Sequence, residues 1–219
     1  PSGDPRPCDG PRRGDENDRS VLREYVSHRF YLSPGFREAF GGCPRMERMS
    51  KVGVIGAGGG GAAATYVIDG ATDADVTVFE KSRGVCGRAA ARRRDGRVYE
   101  YGANYLKGED ERVNELVTKE FDDGLVEVQG PIWTFDGNGN VSEGRDNDER
   151  RWTYEDGITR LAKHLFGATD ATVERETRIE DVRREGRWLL TDDEGKEYGP
   201  FDAVVVNPPA PQTAELLRG

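Results

Sequence analysis

The chain has 219 residues, of which 35% are hydrophobic and 33% charged; 41 Asp and Glu against 32 Lys and Arg give a formal net charge of −9. That length suits one domain or one domain with appendages, and the acidic balance argues against nucleic acid or an anionic membrane as the main partner. Three widely spaced cysteines (Cys8, Cys43, Cys86) form neither a disulfide framework nor a zinc ribbon, and His28 and His164 alone make a histidine-based metal site improbable.

The first segment, residues 1–48, opens on PSGDPRPCDGPRRGDENDRS, rich in Pro, Gly, Arg and Asp and without a hydrophobic period. It reads as disordered. Val21–Phe40 has enough apolar residues for a short helix ahead of Ser33-Pro34. The chain begins with Pro1, and its only methionines are Met46 and Met49. A native start at one of these is expected, with 1–48 a non-native extension; a regulatory arm is the alternative.

From Lys51 the pattern becomes regular. Lys51–Gly56 predicts a buried parallel strand through Val52, Val54 and Ile55. Gly59–Ile68 predicts a helix of small residues, and Asp75–Glu80 (DVTVFE) a second strand. An irregular arginine-rich stretch, KSRGVCGRAAARRRDG, leads to RVYEYGANYL, a strand running into a loop. Val113, Leu116, Val117 and Phe121 give Glu109–Phe121 a helical period. Leu125–Val128 and Ile132–Phe135 predict strands, Asp136–Asn140 a hairpin turn, and EGRDNDERR a solvated loop. Gly157–Phe166 predicts an amphipathic helix, and Ala171–Glu174 a third parallel strand. Thr177–Arg184 is expected to pair with Arg187–Thr191, FDAVVV to be a buried strand, and PAPQTAELLRG to begin a helix.

The chemistry is concentrated in MSKVGVIGAGGGGAAATYVIDG, where a G-x-G-x-x-G falls on Gly56, Gly58 and Gly61. The first glycine permits the strand-to-helix turn, the second lets the backbone approach a pyrophosphate, and the third allows close packing of helix on strand. The phosphates of a dinucleotide sit well at the helix N-terminus, where free N–H groups and the dipole favour anions. Ala57 and Gly59 lie in the same turn. Glu80 ends the second strand roughly twenty residues on, where an acid meets ribose hydroxyls. A glycine-rich turn without a ligand and a solvated acid are the bland alternatives. The fingerprint alone does not choose between NAD and FAD.

The residues after it do. Glu80-Lys81-Ser82-Arg83-Gly84-Val85-Cys86-Gly87-Arg88, followed by Gly102-Ala103-Asn104-Tyr105, resembles two-dinucleotide-binding flavoproteins of the amine oxidase and phytoene desaturase superfamily, and within it the renalase-like FAD-dependent oxidoreductases. The likeness extends to Gly157–Leu165, Arg187–Leu190 and Phe201–Gln212, covering most of Lys51–Arg218 and none of 1–48. It implies FAD as cofactor. Arg88 would approach the flavin or its phosphates beside Gly87, and Lys81 would flank the adenosine ribose. Gly102, Ala103 and Asn104 would lie near the isoalloxazine, and the backbone of Ile179 would meet the adenine edge. Tyr105 is placed near the flavin face or in plain packing. Cys86 departs from the family, which has glycine there; if that position needs φ > 0, a cysteine is strained. A redox thiol or flavin attachment is a weaker reading of Cys86. Arg92-Arg93-Arg94 reads as a solvated basic patch. Asn207-Pro208-Pro209-Ala210 matches the family's strand-then-proline crossing near the cofactor.

The fold expected is therefore α/β: a Rossmann-like FAD-binding domain with a parallel sheet and a small β-meander, and part of an α+β substrate domain. Residues 49–105 would form the first part of the FAD-binding domain, 106–155 a partial substrate domain, and 156–219 the second part of the FAD-binding domain. The family's late Gly-Asp strand is not found, so a C-terminally truncated, poorly stable chain is expected, binding FAD weakly or not at all. The activity implied is oxidation of an amine or dihydronicotinamide-like small molecule by hydride transfer to flavin. An NAD(P)-dependent Rossmann enzyme and a non-catalytic remnant are the competing readings. No apolar run approaches the roughly 20 residues of a membrane span, no signal peptide is visible, and a cytoplasmic location is expected. Excess acid with Arg favoured over Lys fits a halophilic protein, or an acidic protein from a GC-rich genome.

Overall fold

A computed structural model of the chain describes residues 50–107, 110–144 and 149–218. The expectations for residues 1–48 lie outside the described residues. The centre is a four-stranded parallel sheet made of β1 (Lys51–Ile55), β2 (Asp75–Glu80), β10 (Thr172–Arg175) and β14 (Ala203–Val206), in the order β10-β2-β1-β14. All three pairings are parallel, with Val54 opposite both Val78 and Val205. This is an α/β fold with a parallel, Rossmann-like sheet.

Parallel strands covered on both faces are apolar almost throughout, and β1 and β2 show why. Val52, Val54, Val76 and Val78 face helix α1 (Gly59–Ala71) and helix α3 (Thr159–Gly167), through Ile68 and Phe166. Ile55 and Phe79 face the other way. They meet Ile179, Val182, Leu190 and Phe201 of an antiparallel meander, β11 (Ile179–Glu185), β12 (Arg187–Asp192) and β13 (Glu197–Phe201). Phe79 is edge-on to Tyr198 and Phe201, with ring centroids 4.8 and 6.0 Å apart. Such edge-to-face pairs contribute about 0.5–1.5 kcal/mol beyond the area they bury.

The rest of the chain forms smaller units. A hairpin joins β3 (Ala91–Arg94) to β4 (Arg97–Glu100). An antiparallel sheet orders β5 (Leu106–Lys107), β9 (Arg151–Tyr154) and β6 (Leu125–Glu127) as β5-β9-β6. A second hairpin pairs β7 (Trp133–Phe135) with β8 (Val141–Glu143). Helix α2 (Glu111–Glu115), capped by the Asp110 side chain, runs on into a π-helical turn over Leu116–Glu120. Helix α4 is Ala210–Leu216. The Tyr66 hydroxyl donates to the Glu120 carboxylate, tying α1 to that π turn.

Four local expectations are corrected. The arginine-rich stretch is not irregular throughout: Arg92–Arg94 lie on β3, because Asp95-Gly96, both at positive φ, close a tight turn. Arg151 does not belong to a solvated loop; it is buried on β9 with its guanidinium over the Tyr105 ring. The helix expected over Glu109–Phe121 begins at Glu111 and widens into its π turn after Glu115. Within FDAVVV, Phe201 is buried but Ala203–Val206 are only half-buried, since β14 has a hydrogen-bonded neighbour on one side only among the described residues. No helix among the described residues is long and apolar enough to cross a membrane.

The turn from β1 into α1 is sterically exacting. A Cβ on Gly61 would overlap the carbonyl oxygen of Gly56. We therefore expect Gly61→Ala to lower stability by roughly 1–3 kcal/mol, the usual range for overpacking. Urea unfolding would show this as a lower midpoint at unchanged m; an unchanged midpoint would contradict the tight approach.

Candidate functional site

The glycine turn leaves β1 with Gly56 at φ 97° and enters α1 from an extended Gly58. Neither a capping side chain nor an acid in the first turn of α1 covers its N–H groups. Those groups are the orphan donors of any helix start, and here they border a cleft of ≈ 1170 Å³ at the C-terminal ends of β1, β2 and β14. That is where open parallel sheets bind their ligands.

Two contacts hold the turn in shape. The Glu80 carboxylate, buried at the end of β2, accepts the Ala57 N–H at 2.9 Å through Oε2 and the Ser82 N–H at 2.8 Å through Oε1. The Cys86 N–H donates to the Ala57 carbonyl at 2.8 Å, and Gly58 forms a parallel bridge with Cys86. Ala57 is thus fully buried and bonded on both sides. The second loop of the site, Gly84–Arg88, is pinned to the first by this bridge.

Cys86 adopts φ 82°, the left-handed region that favours glycine. For an L residue that conformation costs about 1–2 kcal/mol. The side chain offsets this by burial: it is 4% exposed, packed with Ala62, Tyr66 and Ala162. Its Sγ lies 3.9 Å from the Ile158 carbonyl oxygen. Burial pushes the thiol up to about 11 from an ordinary value of 9.0. A protonated, buried thiol is a poor nucleophile, which removes the redox and attachment readings of Cys86 in this conformation.

Of the residues singled out from sequence, Gly56, Gly58, Gly59, Glu80, Lys81, Gly87, Arg88, Ala103 and Ile179 line the cleft. Ala57 and Gly61 stand behind it, shaping the turn. Gly102 is exposed and does not line the cleft; a Cβ there would overlap the Arg88 carbonyl oxygen, which also accepts the Ala103 N–H at 3.3 Å. Asn104 is exposed and does not line the cleft. The Arg88 side chain is exposed and has no protein partner among the described residues. Lys81 Nζ donates to Gln212 Oε1 at 3.2 Å, joining the end of β2 to α4. Arg92 stacks on Tyr101, Arg93 pairs with Asp156 at 2.9 Å, and all three arginines of β3 are exposed, as a solvated patch requires.

Gly60, Ser82, Thr177, Arg178 and Gln212 also line the cleft without a role assigned from the motifs, and Asn207 lines it as the strand-then-proline resemblance implied. Gly60 belongs to the turn itself and Ser82 follows β2, whereas Thr177 and Arg178 precede β11, Asn207 follows β14 and Gln212 lies on α4, and these four approach the turn only through the tertiary fold. The Asn-Pro-Pro after FDAVVV was the one local signal for Asn207. No group of His, Cys, Asp and Glu suited to a metal occurs among the described residues.

A family model for an NAD(P)-binding Rossmann-like domain matches residues 54–119. Solved structures of similar fold include a protein named as a protoporphyrinogen oxidase from Exiguobacterium sp. 255-15, at 15% identity and TM-score 0.62, covering 78% of this chain and 62% of that one. A CLA-producing fatty acid isomerase from P. acnes aligns at 15% identity and TM-score 0.59, with the same coverages of 78% and 62%. The tetracycline destructase Tet(51) aligns at 16% identity and TM-score 0.52, over 80% of this chain and 42% of that one. The chain thus spans 62% of the length of the first two structures it matches. At these identities the likeness is one of fold.

The Cys86 thiol gives a direct check on the geometry of the second loop. Its raised pKa contributes stability that is present below about 9 and lost as pH rises through about 11. In a chain with Cys8 and Cys43 changed to Ser, we expect Cys86 to be inert to a thiol-exchange reagent at pH 8 when native and reactive once denatured. Equal rates in the two states would contradict the buried placement.

Proposed function

We propose that this chain is the dinucleotide-binding portion of a FAD-dependent oxidoreductase of renalase or amine-oxidase type. The observation that carries the reading is the joining of two loops in one cleft. The Gly58–Cys86 bridge joins the Gly84–Arg88 loop to the glycine turn, and Arg88, whose exposed side chain has no protein partner among the described residues, lines the same cleft as the N-terminus of α1. A glycine turn with no such loop serves NAD as well as FAD. An adjacent forked cation suits a longer anionic ligand that continues past the pyrophosphate.

The residues present fit such a ligand. The uncapped N–H groups of α1 would hold the pyrophosphate. Each Glu80 oxygen accepts one backbone N–H and keeps a second lone pair for a ribose hydroxyl. Lys81 would flank the same ribose, and the Ile179 backbone would border the adenine. Ala103, next to Gly102, would let the ring system approach the wall. The cleft volume exceeds the roughly 300–1,000 Å³ of drug-sized ligand sites. When bound, the flavin supplies the hydride acceptor for an amine or dihydronicotinamide-type small molecule. The protein then has to bind, orient and exclude water, and no acid–base pair of its own is needed for that role. On this reading 49–105 and 156–219 build the cofactor side, and 106–155, with its sheet β5-β9-β6, belongs to the substrate side.

A second reading, an NAD(P)-binding oxidoreductase, is favoured by the match of residues 54–119 to a domain described as NAD(P)-binding. Titration of the purified chain separates the two. We expect added FAD to lose fluorescence on binding, and Arg88→Ala to weaken that binding roughly tenfold, as for a lost charge-assisted hydrogen bond. Binding of NADH with no response to FAD would overturn the FAD reading in favour of the second.

A further inference from the structure

The chain leaving β14 brings a polar side chain to the glycine turn. Asn207 is anchored there by its own N–H, which donates to the Ile55 carbonyl at 3.0 Å. Its carboxamide lies over the first turn of α1. A Cβ placed on Gly60 would be 2.9 Å from Asn207 Oδ1 and 3.4 Å from Nδ2. One on Gly61 would be 3.2 Å from Nδ2, and one on Gly58 3.8 Å from it. Three glycines of the turn therefore share this one amide as a neighbour.

The surroundings fix the amide and leave it unused. Pro208 and Pro209 follow, so β14 offers the cleft no further backbone donor at this point. Thr213 holds that loop, its hydroxyl donating to the Pro208 carbonyl at 2.9 Å and its N–H to the Pro209 carbonyl at 3.0 Å. The Asn207 side chain is half-buried, lines the cleft, and has no hydrogen-bond partner among the described residues. An amide carries two N–H donors and one acceptor oxygen. Withdrawing it partly from water without a partner is unfavourable unless a ligand completes it. Its two orientations are interchangeable in shape. An anion at the N-terminus of α1 selects the one that turns the NH₂ group inward.

We propose that Asn207 is a phosphate-contacting residue, its Nδ2 donating to the pyrophosphate held at the start of α1. This rests on the dinucleotide reading above. It also accounts for glycine at position 60, which no turn geometry demands: a side chain there would push the amide away. Asn207→Asp keeps the shape, removes both donors and adds a negative charge beside the phosphates. Asn207→Ala removes the donors alone.

The test uses the full chain and three probes, FAD, ADP and adenosine, by isothermal titration calorimetry, with thermal melts to compare folding. We expect Asn207→Ala to weaken FAD and ADP roughly tenfold, the size of one hydrogen bond to a charged group. Asn207→Asp should weaken them further, and neither variant should change adenosine binding. Unchanged ADP and FAD affinity in Asn207→Asp, with the wild type binding both, overturns this inference and leaves the dinucleotide reading standing. An equal loss of adenosine and ADP in both variants also overturns it, because the effect is then one of packing. If the wild type binds neither ADP nor FAD, the dinucleotide reading itself fails and carries this inference with it.

Discussion

The close approach of α1 to β1 is the constraint on which the site depends. Gly61 sits against the Gly56 carbonyl with no space for a Cβ. That contact sets the angle at which the helix leaves the strand and so aims its uncapped N–H groups into the cleft. Ala57, between the two glycines, is the hub. Its N–H goes to Glu80 and its carbonyl to the Cys86 N–H, so β2 and the Gly84–Arg88 loop are both hung on one buried residue. A shift of the turn would displace the acid and the second loop together.

The sheet gives this hub its rigidity. Helices cover one face and an antiparallel meander the other, so β1 and β2 are buried on both sides. Interiors of this kind are close-packed and resist local displacement. The mouth of the cleft is built differently. Lys81 and Gln212 meet across it through an exposed contact, which contributes little to stability and yields readily to a ligand. A stiff floor with polar, adjustable walls is a suitable arrangement for a long anionic cofactor.

Cys86 shows how a local rule is broken and compensated. Its left-handed backbone disfavours any side chain, yet the chain holds it there with a backbone hydrogen bond, a bridge to Gly58 and a buried thiol. The thiol occupies space between α1 and α3 that a glycine would leave empty. The residue therefore exchanges backbone ease for packing, and its chemistry is suppressed by the same burial.

Much of the fold was legible because its signals are local. The apolar runs of β1 and β2, the small residues of α1, the paired segments around Glu185-Gly186 and the period of Ile158, Ala162 and Leu165 each declare an element within a few residues. So does the acid at Glu80, since it closes its own strand. The first strand of the β3–β4 hairpin was hidden because Arg92–Arg94 are all charged and exposed, without the alternation that marks a half-buried strand. Arg151 was misread because a charged residue in a charged run gives no hint of the Tyr105 ring above it.

The sequence by itself determined the strand–turn–helix and the acid that closes it, since both follow from local sterics and hydrogen bonding along the chain; the loop beginning at Gly84 was legible only through the family resemblance. Only the tertiary structure decided which of these face one cleft. It set Ala103 and Ile179 on the wall, left Asn104 outside, and brought Asn207 across from β14. The reason is topological: parallel strands far apart in the chain end at the same edge of the sheet, and their distance in space is not written in their spacing.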